Sequence, residues 1–169
     1  MFTALAPREV SADHFKPSAG ADAAWEAFLP VARDLDARAI VVLSAPEVTA
    51  SKANRAAVHA FFERVAPGAT APLVWEPPPS WDLKESEATV KDLGVLVARD
   101  PQRHPAFGKV PRAYYRLPGP AGYKSRYEDP ALAALSEVIA RTQAADSLAV
   151  FANVDMYADA KRLRKLLER

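Results

Sequence analysis

The feature that most constrains the fold is an alternation of short apolar runs with amphipathic segments, repeated about six times. The clearest run, AIVVL at residues 39–43, has the β-branched composition of a strand buried on both faces. Strands that are joined through helices run parallel and are covered on both sides, which predicts an α/β fold. An open doubly wound sheet and a (β/α) barrel both satisfy this pattern. The predicted strands are residues 2–6, 39–43, 73–75, 95–98, the start of the stretch 113–127, and 148–151.

The segments between these runs carry apolar residues three and four positions apart, which is typical of helices with one buried face. Residues 8–20 lack this spacing and are predicted to be a polar loop. Pro30 lies inside the first helix, where proline costs roughly 3 kcal/mol, so a kink or break is predicted there. Asp129 is predicted to cap the helix that follows Pro130. The predicted helices are residues 21–35, 51–65, 81–93, the segment after Pro130, and 156–167.

Composition limits the class of protein. A chain of 169 residues suffices for one domain with a sizeable core, so residues 1–169 are predicted to form a single domain. The formal net charge of +1, from 22 Lys and Arg against 21 Asp and Glu, argues against a nucleic-acid coat protein. A basic run near the end is therefore interpreted as a solvated helix face that complements the helix dipole: Lys161, Arg162, Arg164, Lys165 and Arg169.

The absence of cysteine excludes disulfides, thiolate nucleophiles and Cys-ligated metal sites, and it is compatible with a cytoplasmic location. The three histidines share no metal-ligand spacing, so no metal site is predicted, and the sequence identifies no cofactor. We see no secretory signal and no run of ~20 apolar residues, so no membrane association is expected.

Polar side chains stand where the apolar runs end, and parallel strands bring such positions to one end of a sheet. Arg116 is the predicted centre of a site, since its planar fork would bind a carboxylate or phosphate. Glu76 or Asp100 would act as general acid or base, and Asn153 would orient a polar group. The alternative is that Arg116 forms an ion pair with one of these carboxylates and only neutralises its charge.

Aromatic residues near these positions are predicted to bind the ligand. The loop after Arg116 is expected to expose Tyr123 and Tyr127 beside Lys124 and Arg126. Trp81 follows Glu76 and would stack on a ligand, with core packing as the alternative role. The predicted ligand-binding residues are Trp81, Tyr123, Tyr127 and Asn153.

Four motifs occur in an order that resembles the family called domain of unknown function 72, the YecE-like proteins: VWEPPPSW, ARDP, AYYRLPGPAGYKSRYED and VFANVDMYADAKRL. The resemblance covers most of the chain and implies a TIM-type barrel without a generally established reaction. It implies site positions at the ends of successive strands. These positions are Glu76 with Trp81, Asp100, the run Arg116, Leu117, Pro118 and Gly119 with Tyr123 and Tyr127, and the run Phe151, Ala152 and Asn153.

Three departures from the family pattern concern the chemistry. Pro118 replaces the usual histidine, Ala152 replaces the first asparagine, and Leu5 stands where a lysine is often found. The first two βα units of the family also have no counterpart, so the resemblance implies an incomplete barrel of about six βα units, corresponding to the C-terminal part of the family barrel. Open sheet edges at residues 2–6 and 148–151 would then favour self-association or a partner chain.

Three functions are compared on these observations. The first is binding or turnover of an anionic or sugar-like small molecule at the C-terminal face of the strands. The second is a non-catalytic, degenerate barrel that acts as a protein-interaction module or oligomer subunit. The third is nucleic-acid association through the terminal basic helix, which the near-neutral net charge disfavours. Whether the chain is an enzyme stays open from the sequence.

Overall fold

The computed structural model describes residues 2–104, 110–142 and 144–168. The chain divides into two compact units, Met1–Val97 and Ala98–Arg169. In the described residues of each unit, the strands that pair do so in parallel.

The first unit is a four-stranded parallel sheet with strand order β1-β2-β3-β4. Val41 and Val42 in the central strand β2 are fully buried, because helices and neighbouring strands cover this run completely. A 3₁₀ turn at Ala66–Gly68 follows α3. The elements are β1 (Phe2–Leu5), α1 (Glu9–Ala12), α2 (Ala19–Asp34), β2 (Ala37–Leu43), α3 (Lys52–Val65), β3 (Leu73–Glu76), α4 (Leu83–Thr89) and β4 (Leu96–Val97).

The second unit pairs two parallel strands and covers one face of them with two helices. In register, Arg112 lies opposite Asp146 and Leu117 lies opposite Phe151. The core on the helix-covered face contains Leu117, Tyr127, Leu132, Leu135, Phe151 and Leu163. The elements are β5 (Arg112–Leu117), α5 (Asp129–Arg141), β6 (Asp146–Phe151) and α6 (Met156–Leu167).

The α/β class and the parallel strands predicted from the sequence are confirmed, and all six predicted strands are present. The six strands form separate four- and two-stranded sheets, and no closed barrel is found in the described part of the chain. None of the described helices is both long and apolar enough to cross a membrane.

Several local predictions are corrected. The segment predicted as a polar loop contains α1, and it buries Val10 and Phe15 in the core of the first unit. The helix predicted to kink or break at Pro30 is one helix, Ala19–Asp34, that contains the proline. Glu128, not Asp129, is the N-cap of α5, so Asp129 and Pro130 both lie in its first turn.

Candidate functional site

Three chain segments of the second unit end side by side. The Arg99 N–H donates to the Tyr114 carbonyl at 3.0 Å, and the Arg116 N–H donates to the Arg99 carbonyl at 2.8 Å, which forms a parallel bridge beside β5. On the other side, β6 pairs with β5 through Leu117, and the Ala152 N–H continues the ladder to the Leu117 carbonyl at 2.8 Å. Asp100, Arg116 and Asn153 therefore lie at or just beyond the carboxyl ends of adjacent parallel segments.

Arg116 and Leu117 point to opposite faces of the two-stranded sheet, since side chains alternate along a strand. Leu117 is buried in the core formed with α5 and α6. Arg116 is half-buried and lies on the face opposite that core.

Asp100 organises the turn that follows its segment. Its Oδ1 accepts a hydrogen bond from the Gln102 N–H at 2.9 Å, and its carbonyl accepts from the His104 N–H at 2.8 Å and from the Arg103 N–H at 3.1 Å. These bonds fix the aspartate backbone and leave the carboxylate half-buried at the carboxyl end of the segment.

Asn153 is completely buried, and its amide orientation is set by two acceptors. Its Nδ2 donates to the Ser125 carbonyl and to Asp159 Oδ2, both at 2.8 Å. Its buried Oδ1 accepts no hydrogen bond from the described residues. A buried acceptor of this kind is a position at which a ligand donor or a water would be favourable.

Asp159 is the residue that ties these elements together. Its side chain is 1% exposed, and its Oδ2 also accepts from the Tyr127 N–H at 3.1 Å. Its Oδ1 accepts from Arg162 at 2.9 Å, and the same guanidinium donates to the Tyr127 carbonyl at 2.7 Å and to Asp129. The carboxylate thus holds the end of β6, the loop before α5 and helix α6 to one another.

The prediction from the sequence that the Tyr127 side chain is exposed is wrong. Its ring is fully buried and packs edge-on against Phe151 at 5.4 Å between ring centroids. Its hydroxyl oxygen accepts from the Gly119 N–H at 3.1 Å. Burial raises the pKa of this hydroxyl above its ordinary value; the Gly119 bond lowers the pKa, and the negative charges of Asp100 and Asp159 raise it further.

The loop between β5 and α5 has a defined conformation. Gly119 has φ of 100°, and a Cβ there would come within 2.4 Å of the Gly122 carbonyl oxygen, so only glycine fits. Ser125 Oγ closes the turn by donating to that carbonyl at 2.7 Å. Tyr123 at the loop tip is 60% exposed, as the sequence predicted.

Glu76 and Trp81 belong to the first unit. Glu76 ends β3 half-buried, opposite Leu43 in the register. Trp81 is buried, packs edge-on against Trp75 at 4.8 Å between ring centroids, and donates its indole N–H to the Val48 carbonyl at 2.6 Å. These contacts are those of a core residue.

Among the residues that the structure describes, no group of three His, Cys, Asp or Glu side chains is arranged to hold a metal ion. Sequence reasoning missed Asp159, Arg162 and Ser125 as parts of this site. Asp159 had one signal: an acidic residue in the first turn of a helix that starts just after a strand-end asparagine.

Comparison with solved structures identifies the fold. A DUF72 family protein from Thermotoga maritima matches with a TM-score of 0.75 and 16% sequence identity, covering 99% of this chain and 74% of its own. A DUF72 family protein from Enterococcus faecalis matches with a TM-score of 0.74 and 16% identity, with the same coverage of both chains. No protein-family model matches the sequence, and no curated protein matches it. The chain therefore has the fold of DUF72 family proteins, which supports the family that its sequence motifs resemble.

Proposed function

We propose that this chain is a DUF72 family protein, that its residues form a single domain of about six βα units of a TIM-type barrel, and that it binds a small anionic or sugar-like molecule. The supporting observation is that Asp100, Arg116 and Asn153 stand at the carboxyl ends of three adjacent parallel segments. In α/β proteins, ligands bind at this end of the strands.

Arg116 would make the principal contact. A guanidinium presents a rigid fork that matches a carboxylate or a phosphate, and partial burial strengthens such an interaction relative to open solvent. Asp100 stands at the same sheet end as the acid–base candidate, whereas Glu76, which ends β3 in the first unit, stays a prediction from the sequence. Asn153 would orient a polar group of the ligand through its buried Oδ1.

The loop between β5 and α5, which carries Tyr123, supports this proposal because hydrogen bonds fix its backbone. Tyr127, Gly119 and Asp159 fix the loop backbone before any ligand arrives, which lowers the ordering cost of binding. Tyr123 would contact the ligand from the exposed loop tip. In this proposal, buried Tyr127 and Trp81 act by fixing the loops that follow their strands.

A thermal-shift screen against phosphate, sugar phosphates and small carboxylates tests the proposal. A ligand present at about 100 times its dissociation constant stabilises the folded state by ~2.7 kcal/mol, which is a clear rise in melting temperature. Arg116→Ala should abolish the rise. Arg112→Ala removes an equal charge from the opposite end of the same strand, and this variant should still show the rise in melting temperature. Equal shifts in both variants for every stabilising compound would exclude Arg116 as the anion site.

A second candidate function, an interaction or oligomer module, is supported by edge strand β1. Phe2 is 61% exposed and Leu5 is 49% exposed on a strand that pairs on one side only among the described strands. Exposed apolar edges pair with other chains, and lysine on an edge prevents this. Light scattering should therefore find an oligomer that Leu5→Lys converts to a monomer. A wild-type protein that stays monomeric at high concentration would exclude self-association through β1.

A further inference from the structure

The two compact units carry opposite net charges, which the whole-chain value of +1 conceals. Met1–Val97 contains 9 Lys and Arg against 13 Asp and Glu, a net charge of −4. Ala98–Arg169 contains 13 Lys and Arg against 8 Asp and Glu, a net charge of +5. A charge asymmetry between two halves of a chain indicates an anionic partner for the basic half.

One face of α6 combines this charge with an exposed aromatic ring. Tyr157, Lys161 and Lys165 follow one another at four-residue spacing, so they lie along the same side of the helix. Tyr157 is 72% exposed, and the Lys161 ammonium lies 4.4 Å from its ring centroid. We call these three residues the α6 basic face.

The exposed surface continues from Tyr157 toward the loop before α5. The Val154 N–H donates to the Tyr123 carbonyl at 2.7 Å, which joins that loop to the segment that leads into α6. Tyr123, Val154 and Met156 are all exposed. The loop that carries the Tyr123 ring is therefore hydrogen-bonded to the segment that leads into the α6 basic face.

The lysines of this surface pair with no carboxylate of the described residues, whereas its arginines do. Arg162 bonds to Asp129 and Asp159, and Arg164 bonds to Glu168. Within the described residues, Lys124 and Lys165 form no salt bridge. Lysines without a carboxylate partner can neutralise phosphates and release their counterions.

We infer that the α6 basic face, with neighbouring Tyr123, binds single-stranded nucleic acid. Exposed rings that stack on bases, beside cations that follow the phosphate backbone, are the combination that such binding uses. A duplex hides the faces of its bases, so stacking selects the single strand. The large exposed apolar side chains of α6 lie only at its two ends, and Leu163 between them is buried in the core of the second unit, so α6 lacks the continuous apolar stripe that insertion into a bilayer surface needs.

Fluorescence anisotropy of the full-length protein with a labelled oligothymidine at low salt tests this inference. Base–aromatic stacking makes Tyr157→Ala bind roughly fivefold or more weakly, whereas Tyr157→Phe keeps the ring and the affinity. Arg116→Ala should leave oligonucleotide binding intact, which separates this site from the proposed small-molecule site. Circular dichroism would verify that each variant is folded.

Salt dependence provides the second readout. Each phosphate contact on a single strand contributes about −0.7 to the slope of log K against log salt concentration, so Lys161→Ala with Lys165→Ala should make the slope shallower by about 1.4. The double variant Lys52→Ala with Lys91→Ala removes two exposed lysines from the first unit and should leave the slope unchanged.

Three results would overturn the inference. The first is no oligonucleotide binding at low salt. The second is oligonucleotide binding that the α6 double variant and the Lys52 and Lys91 double variant weaken equally, or binding that is as tight for a duplex as for the single strand and that Tyr157→Ala does not change. The third is binding to phosphatidylserine vesicles, but not to the oligonucleotide, that the α6 variants abolish.

Discussion

At the scale of single residues, one buried carboxylate organises the candidate site. Asp159 accepts hydrogen bonds from the backbone of Tyr127, the amide of Asn153 and the guanidinium of Arg162. A buried charge is tolerated only when such donors compensate its lost hydration. The folded loop therefore depends on Asp159 although this residue comes from a helix.

Asp159→Ala should lower the free energy of unfolding by about 2–4 kcal/mol, because it leaves buried donors without an acceptor. Asp155→Ala, four residues earlier in the chain and exposed, should change it by less than about 0.5 kcal/mol. Urea unfolding measures both values. Equal, small effects would show that the network contributes little to stability.

The buried tyrosines predict loss of stability at alkaline pH. Burial raises the pKa of Tyr127 and of Tyr115, so above pH ~10 the unfolded chain loses these protons while the folded chain retains them. The contribution of these two tyrosines to stability is complete below their pKa in the unfolded chain, and it is lost as the pH rises toward their pKa in the folded protein. Tyr127→Phe should make the alkaline fall in unfolding free energy less steep. A slope as steep as that of the wild-type protein would contradict this assignment.

Residues differ in how readily the sequence reveals them. The place of Asn153 at a strand end could be predicted, because a polar residue that follows an apolar run marks the end of a strand; its role in a site stays a prediction. Asp159 was harder to predict, because its one signal, a position in the first turn of α6, does not distinguish it from a solvated side chain until the fold brings it to the Tyr127 backbone. The exposure predicted for Tyr127 was wrong for the same reason: its ring fills a core that forms only when β5, β6, α5 and α6 pack.

At the scale of elements, α2 accommodates a proline without ending. Pro30 lies on the exposed side of the helix, where it removes one backbone hydrogen bond but meets no packed neighbour. Trp25 and Ala32, which lie before and after Pro30, are buried in the core of the first unit and hold the helix on both sides of the proline.

Pro30→Ala should therefore raise the free energy of unfolding by about 1–2 kcal/mol, since alanine restores the missing bond at a small entropic cost in the unfolded chain. Pro130→Ala is the matched control, because proline in the first turn of α5 removes no helical bond and its replacement should bring no gain. Thermal unfolding compares them. A gain at position 130 as large as that at position 30 would refute the argument.

Elements with strong periodicity were predicted best. The last helix was predicted as residues 156–167 and occurs as Met156–Leu167, because its apolar residues recur through three turns. The four-residue helix α1 is too short for any periodicity. Phe15, which follows it, has a φ of 64°, and no sequence pattern indicated this backbone conformation or the burial of its ring.

At the scale of the whole molecule, the near-neutral total charge is the sum of two units of opposite charge. The expectation that nucleic acid is not a partner rests on that total and stays a prediction, which the oligonucleotide titration tests. The α/β class followed from strand and helix alternation alone, because parallel pairing needs crossover connections. The alternation of strands and helices could not predict whether a barrel closes, since closure depends on contacts between segments that are distant along the chain.

The central claim is that Arg116 recognises an anionic ligand at the carboxyl ends of β5 and β6. Isothermal titration of the small anion that stabilises the protein best, into wild type, Arg116→Lys and Arg112→Lys, tests this claim most directly. Lysine keeps the charge but loses the planar fork, so Arg116→Lys should bind about tenfold more weakly while Arg112→Lys matches wild type. Equal affinity of all three proteins would contradict the claim.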